Sequence, residues 1–134
     1  MKLARPLIAY LGALALFAST ALAGTAATSA TLRAATVRLI TAELNRDGAT
    51  ACGVLNAPLT STAGGRTCAQ RWAARSARLL AVPGGARRLR ADLSAAATAP
   101  VAINGEHGSI MLPYALLNGH SRFYWTNNCW MLTR

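Results

Sequence analysis

The chain has 134 residues and a formal charge of +10, with 14 lysine and arginine residues against four aspartate and glutamate residues. This length fits one domain and excludes a two-domain enzyme or a large α/β scaffold. Hydrophobic residues make up 53% of the chain and charged residues 13%, so the sequence can form a core, although a small domain buries only a modest one. With so few acids, a pair of catalytic carboxylates is not expected.

The first 23 residues have the three parts of a secretory signal peptide. Lys2 and Arg5 give a positive start, residues 7–17 form an uninterrupted apolar run, and Ala21 and Ala23 give the small-x-small pattern of a cleavage site. The apolar run is shorter than the roughly 20 residues that span a membrane. We therefore expect cleavage after Ala23, with an uncleaved anchor as the alternative.

Cleavage at this point predicts a signal peptide over residues 1–23, a flexible leader over 24–30 and a single domain over 31–134. No other stretch is apolar enough to span a membrane, so no transmembrane segment is expected after cleavage. We expect the mature protein to be secreted, or loosely held at an anionic surface outside the cytoplasm.

Hydrophobic spacing predicts three helices at the start of this domain. They cover residues 31–45, residues 49–56 after an Asp47 cap, and residues 68–82 after a Thr67 cap. The inner face of the third predicted helix holds Trp72, Ser76, Leu79 and Leu80.

The pattern then changes to the alternation that is typical of half-buried strands. Residues 88–93 alternate polar and apolar side chains and predict a first strand. Two hairpins are expected further along, 101–103 with 108–112 around Asn104-Gly105, and 122–126 with 130–133 around Asn127-Asn128. Helices followed by strands indicate an α+β domain with helices packed on one face of an antiparallel sheet.

The three cysteines, Cys52, Cys68 and Cys129, allow three pairings that each leave one thiol. A chain outside the cytoplasm can form a disulfide. Pairing of Cys52 with Cys68 closes a loop of about 15 residues, which stabilises the fold by roughly 3 kcal/mol in the chain-entropy model. We favour this pairing with Cys129 free; a bridge to Cys129 and an intermolecular disulfide are the alternatives.

The sequence offers little catalytic chemistry. His107 follows Glu106, but neighbouring residues on a strand point to opposite faces, so this pair does not converge. His120 is the second histidine, and no nucleophile motif or phosphate-binding glycine loop is present. We expect no catalytic residue, no metal and no cofactor, with an enzyme that uses a pocket histidine as the alternative.

Two groups of arginines predict a basic face. They are Arg71, Arg75 and Arg78 on the third helix, and a cluster of Arg87, Arg88 and Arg90 at the start of the segment predicted as the first strand. Such a face attracts an anionic lipid or a cell-wall polymer. Nucleic acid is not an expected partner, because aromatic residues do not interleave with these charges. A basic surface-adhesion protein is a further alternative.

Short motifs resemble a family. Residues 51–55 (ACGVL), after the turn 45–48 (NRDG), resemble a segment of small secreted bacterial proteins with a nuclear transport factor two-like fold. Cys68 at a helix start and the terminal residues 130–132 (WML) are similar to the same pattern, and the resemblance covers roughly residues 31–134. It implies helices packed into the concave face of a curved antiparallel sheet, with a cone-shaped pocket between them. The Asp/His pair of enzymatic relatives has no match here.

The expected lining of this pocket is Trp72, Met111, Tyr124 and Trp130, although aromatic residues in this pattern also fit the core of the sheet. These observations predict a secreted, non-enzymatic domain of unassigned role. Its expected partner is a small apolar ligand or a component of the cell envelope.

Overall fold

The computed structural model describes residues 26–54, 66–114 and 122–132. Within these ranges the helices are α1 (Ser29–Leu44), α2 (Gly48–Cys52), α3 (Cys68–Ala81) and α4 (Gly85–Ala96). The strands are β1 (Val101–Asn104), β2 (His107–Ile110), β3 (Arg122–Thr126) and β4 (Cys129–Leu132). The described chain is therefore α+β, with its helices before its strands, as predicted. None of its described helices is long and apolar enough to cross a membrane.

Hydrogen-bonding side chains set the starts of three helices. Thr28 caps α1 and Thr67 caps α3, each in a reciprocal capping box with the residue three positions later. Asp47 caps α2 by accepting hydrogen bonds from the Thr50 amide and hydroxyl, which lower the pKa of this carboxyl. Because Thr28 is the cap, α1 already includes residues 29 and 30, which the sequence assigned to the flexible leader.

The strand predicted over residues 88–93 is wrong, because this segment lies in α4. The buried residues of α4 are Gly85, Leu89, Asp92 and Ala96, whose spacing is that of one helical face. Alternation over six residues also fits a helix here, because five of residues 88–93 are alanine, leucine or arginine, which are strong helix formers. Packing against α1 then favours the helical face over the alternating one.

The four strands form one antiparallel sheet in the order β1-β2-β3-β4. The Asn127-Asn128 turn is confirmed, and both residues have the positive φ angles that a two-residue hairpin loop requires. The first hairpin turns one residue later than predicted, at Gly105 and Glu106, because Asn104 still pairs with His107. Gly105 has the positive φ of this loop.

The core lies between α1 and the inner face of the sheet. Its buried members are Leu32, Leu39 and Ile40 on α1 with Ile110, Phe123, Trp130 and Leu132 on the strands. The turn after α2 joins this layer, because the Leu132 amide donates to the Val54 carbonyl oxygen at 2.7 Å. The opposite face of the sheet carries exposed residues, among them Ala102, Asn104 and His107.

Gly108 lies on β2, next to Leu32 of α1 and the Trp130 ring of β4. A Cβ atom there would come within 2.9 Å of Leu32 Cδ2 and of the Trp130 ring. We expect Gly108→Ala to lower the free energy of unfolding by roughly 1–3 kcal/mol, because the packed core has to shift. Urea unfolding measures this change. The matched control is Ser109→Ala on the outer face, expected to change stability by less than about 0.5 kcal/mol; an equal effect of the two variants would contradict the steric argument.

Candidate functional site

A disulfide joins the end of α2 to the start of α3. Cys52 and Cys68 are bonded, with Cα atoms 5.9 Å apart, and Cys129 is the free cysteine. The two helices approach closely, since a Cβ atom on Gly48 would overlap the Ala69 carbonyl oxygen. The predicted pairing is confirmed. The bond links the short helix α2 to α3.

The four residues expected to line a pocket do not share one surface. Trp72 is buried in the helical layer, and Trp130 is 2% exposed on the inner face of the sheet. Tyr124 follows Phe123 on β3, so its side chain lies on the outer face, and Met111 is 72% exposed beyond the end of β2. Trp130 is core, as the alternative interpretation of the aromatic cluster expected.

The predicted basic face is divided by the fold. Arg75 turns inward, with its Nε 3.5 Å from Glu43 Oε1 and its guanidinium 4.6 Å from the centre of the Trp72 ring. Arg71 donates to the Arg66 carbonyl oxygen at 2.7 Å. Because residues 88–93 are helical, Arg88 and Arg90 are roughly 200° apart around α4 instead of on one strand face.

On α4, Arg88 packs near the Tyr114 ring, at 6.0 Å from its centre, while Arg90 is exposed. Arg78 on α3 and Arg87 on α4 are also exposed. The helical layer thus presents exposed arginines from two neighbouring helices, but the residues predicted as one face do not form one continuous stripe.

Two buried acids, which the sequence did not single out, lie in the helical layer. Glu43 is 1% exposed and Asp92 is fully buried. Asp92 Oδ1 accepts the Tyr114 amide at 2.8 Å and thereby holds the chain that follows β2. Neither carboxylate oxygen of Glu43 has a hydrogen-bond partner within the described part of the chain, apart from the ion pair with Arg75.

Burial raises the pKa of Glu43 to about 7, because desolvation of the carboxylate outweighs the opposing charge of Arg75. The nearby Asp92 adds a smaller effect in the same direction. A signal for Glu43 was present, since Thr36, Ile40 and Glu43 share one helical face. Asp92 was missed because its segment was predicted as a strand. Across the described ranges, no group of three or more potential ligands is placed to hold a metal ion.

A shallow groove of about 300 Å³ crosses the outer face of β1, β2 and β3. Its lining includes Asn104, His107, Ser109 and Arg122 but no acidic side chain. The buried acids lie in the helical layer on the other side of the sheet, so this groove does not pair His107 with either of them. His120, the other histidine of the enzymatic alternative, lies outside the described residues.

A second groove, of about 200 Å³, lies between α1 and the β3–β4 hairpin. It is lined by Thr31, Ala34, Ala35, Arg38, Trp125, Asn128, Cys129 and Trp130. The small side chains of α1 open the space, and the hairpin supplies an aromatic wall. Sequence reasoning missed this groove, because its two walls are far apart in the chain.

Comparisons with protein-family models, with curated proteins and with solved structures find no match. The structure shows an α+β chain with one four-stranded antiparallel sheet. Membership of the nuclear transport factor two-like proteins and the cone-shaped pocket stay predictions.

Proposed function

We propose that the chain is an exported, non-enzymatic domain that binds an anionic polymer of the cell envelope through its arginine-rich surface. One observation carries this proposal: folding buries Glu43 and Asp92, two of the four acids of the chain. Asp47 and Glu106 are the acids that stay exposed in the described ranges. The described surface is therefore more basic than the composition alone implies.

The exposed arginines come from α1, α3, α4, β3 and the segments before α2 and α3. They are Arg38, Arg46, Arg66, Arg78, Arg87, Arg90 and Arg122. An excess of one sign on a small surface attracts a polyanion over a distance set by the ionic strength. Distribution over several elements suits an extended charged polymer better than a compact ligand.

Export is part of the same proposal. The signal-peptide pattern of residues 1–23, which lie outside the described residues, and the Cys52–Cys68 disulfide both suit an oxidising compartment. The cone fold is proposed on the resemblance, with the helices packed on one face of an antiparallel sheet as support. A small apolar ligand on that face is disfavoured, because Leu32, Phe123 and Trp130 already fill the described part of it.

Binding to immobilised polygalacturonate, a carboxylated polysaccharide, tests the proposal. We expect retention at low salt and release by about 0.5 M NaCl, where the Debye length falls to a few ångströms. Charge reversal in the Arg87→Glu/Arg90→Glu variant should weaken binding roughly tenfold or more, since both side chains are exposed. The matched control, Arg87→Lys/Arg90→Lys, keeps the charge and should bind like the wild type.

Equal retention on neutral dextran, or retention that salt does not change, would contradict the proposal. Binding to vesicles that contain phosphatidylglycerol, without binding to the polysaccharide, would replace the polymer with a lipid surface.

A further inference from the structure

The groove between α1 and the β3–β4 hairpin combines an aromatic wall with hydrogen-bond donors. Trp125 is half-buried, and its ring stands edge-to-face against Trp130, with centroids 5.3 Å apart. The Trp130 indole N–H donates to Thr31 Oγ1 at 2.9 Å, which fixes Trp130 against α1. The Trp125 amide donates to the Glu106 carbonyl oxygen. The Trp125 backbone is therefore fixed, and its ring packs on Trp130 while staying partly open to solvent.

Three donor groups lie at this groove. Arg38 projects from α1 as an exposed side chain, and Asn128 sits in the tight turn of the hairpin with a positive φ of 57°. The third donor is the Trp125 indole N–H. Within the described ranges, none of the three donates a side-chain hydrogen bond or joins an ion pair. All three remain available for a ligand.

The lining of the groove contains no acidic side chain. Ala34 and Ala35 form the α1 wall, so an approaching ring meets methyl groups on one side and an indole on the other. A site of this kind favours a ligand with an apolar face, several oxygen acceptors and a negative charge.

Resting on the proposed function, we infer that this groove binds one acidic sugar residue of the polymer. A pyranose ring has a C–H face that packs on an indole, and its hydroxyls accept hydrogen bonds from the Asn128 side chain. The Trp125 N–H lies in the plane of the indole, so it donates to a hydroxyl of the neighbouring sugar of the polymer. The carboxylate of the bound ring pairs with the planar guanidinium of Arg38, which can donate two parallel hydrogen bonds. The groove volume of about 200 Å³ suits a single ring, with the rest of the polymer passing over the surrounding arginines.

The test follows the indole N–H signals of ¹⁵N-labelled protein during titration with trigalacturonate. We expect the Trp125 signal to shift most and the Trp130 signal to shift less, because Trp130 is buried beside it in the same groove. The Trp72 signal should stay in place, because Trp72 is buried in the helical layer outside the groove. Maltotriose, a neutral trisaccharide, should bind at least about tenfold more weakly, because it cannot form the charge-assisted pair with Arg38.

Arg38→Gln should weaken trigalacturonate binding roughly tenfold, and Arg38→Lys should restore part of it. Arg38 is exposed on α1, so neither change should disturb folding. Arg90→Gln removes the same charge from α4, outside the groove, and should weaken trigalacturonate binding clearly less than Arg38→Gln does. Trp125→Phe keeps an aromatic packing partner for Trp130 while removing the indole donor, and it should also weaken binding.

Equal losses of trigalacturonate affinity in Arg38→Gln and Arg90→Gln would show that the groove is not the binding site, while leaving the proposed polymer binding in place. Equal affinities for maltotriose and trigalacturonate would show that the groove does not select an acidic sugar. Failure of polygalacturonate to bind at all would overturn both the proposed function and this inference.

Discussion

Replacing Cys52 with alanine is expected to lower the free energy of unfolding by roughly 3 kcal/mol. The disulfide closes a loop of about 15 residues, so its loss returns conformational freedom to the unfolded chain. It also releases α2, a helix too short to persist in isolation, from its packing on α3. Urea unfolding of the oxidised protein measures the change, and reduction of the wild type should reproduce it.

The cysteines offer matched controls for this prediction. Cys52→Ala/Cys68→Ala should lose about as much stability as Cys52→Ala alone, because both remove the same bond. Cys129→Ala removes a half-buried thiol that is outside the disulfide and should cost less. A Cys129→Ala variant as unstable as Cys52→Ala would count against the argument, as would a non-reducing peptide map that links Cys129.

The protein is expected to be more stable at pH 5 than at pH 8, with a difference of roughly 3 kcal/mol from Glu43. The pKa of Glu43 is about 7 in the folded protein against an ordinary value of 4.5. Between these two values the folded state holds a proton that the unfolded chain has released. Stability therefore falls as the pH rises from about 4.5 to about 7, and the effect of Glu43 is constant outside that window.

Asp47 does not contribute to the change in stability between pH 5 and pH 8. Its pKa is lowered by hydrogen bonds from Thr50, so the stability it contributes is present above its ordinary value of 3.8 and is lost only in stronger acid.

Glu43→Gln separates Glu43 from the other titrating groups. A glutamine carries no charge at any pH, so the fall in stability between pH 5 and pH 8 should largely disappear. The variant should match the wild type near pH 5 and exceed it by roughly 3 kcal/mol at pH 8. The glutamine keeps a side-chain oxygen that can accept from the buried Arg75 Nε, and the rest of the Arg75 side chain is 27% exposed.

Glu106→Gln is the control for this prediction, since it removes an exposed carboxyl from a turn and should leave the pH dependence unchanged. Thermal unfolding at several pH values measures both variants. A pH dependence that persists in Glu43→Gln, or a wild type that becomes more stable between pH 5 and pH 8, would show that burial of Glu43 is not its cause.

Elements with local signals were predictable from the sequence. Thr67 followed by an amphipathic run predicted α3, and the observed helix Cys68–Ala81 ends one residue before the predicted end. The Asn127-Asn128 pair predicted its hairpin, because few residue types accept the backbone of that turn. Cysteine spacing predicted the disulfide, since closing a flexible loop of about 15 residues costs little conformational entropy.

The site depended on information that no local pattern contains. Residues 88–93 fit a strand and a helix equally well until packing against α1 decided for α4. Because the segment is helical, Asp92 is buried, and Arg88 and Arg90 lie on different sides of α4. The four aromatic and methionine residues were separated in the same way, because the register of β3 and β4 places Trp130 inside and Tyr124 outside.

By itself, the sequence determined the α+β class, the positions of most helices and turns, the disulfide and the basic character of this protein. These properties follow from spacing, capping and composition, which act between near neighbours. Only the tertiary structure decided that Glu43 and Asp92 are buried and that Arg38 and Trp125 border one groove. Burial and convergence depend on which elements become adjacent, and adjacency is set by packing between segments that are distant in the chain.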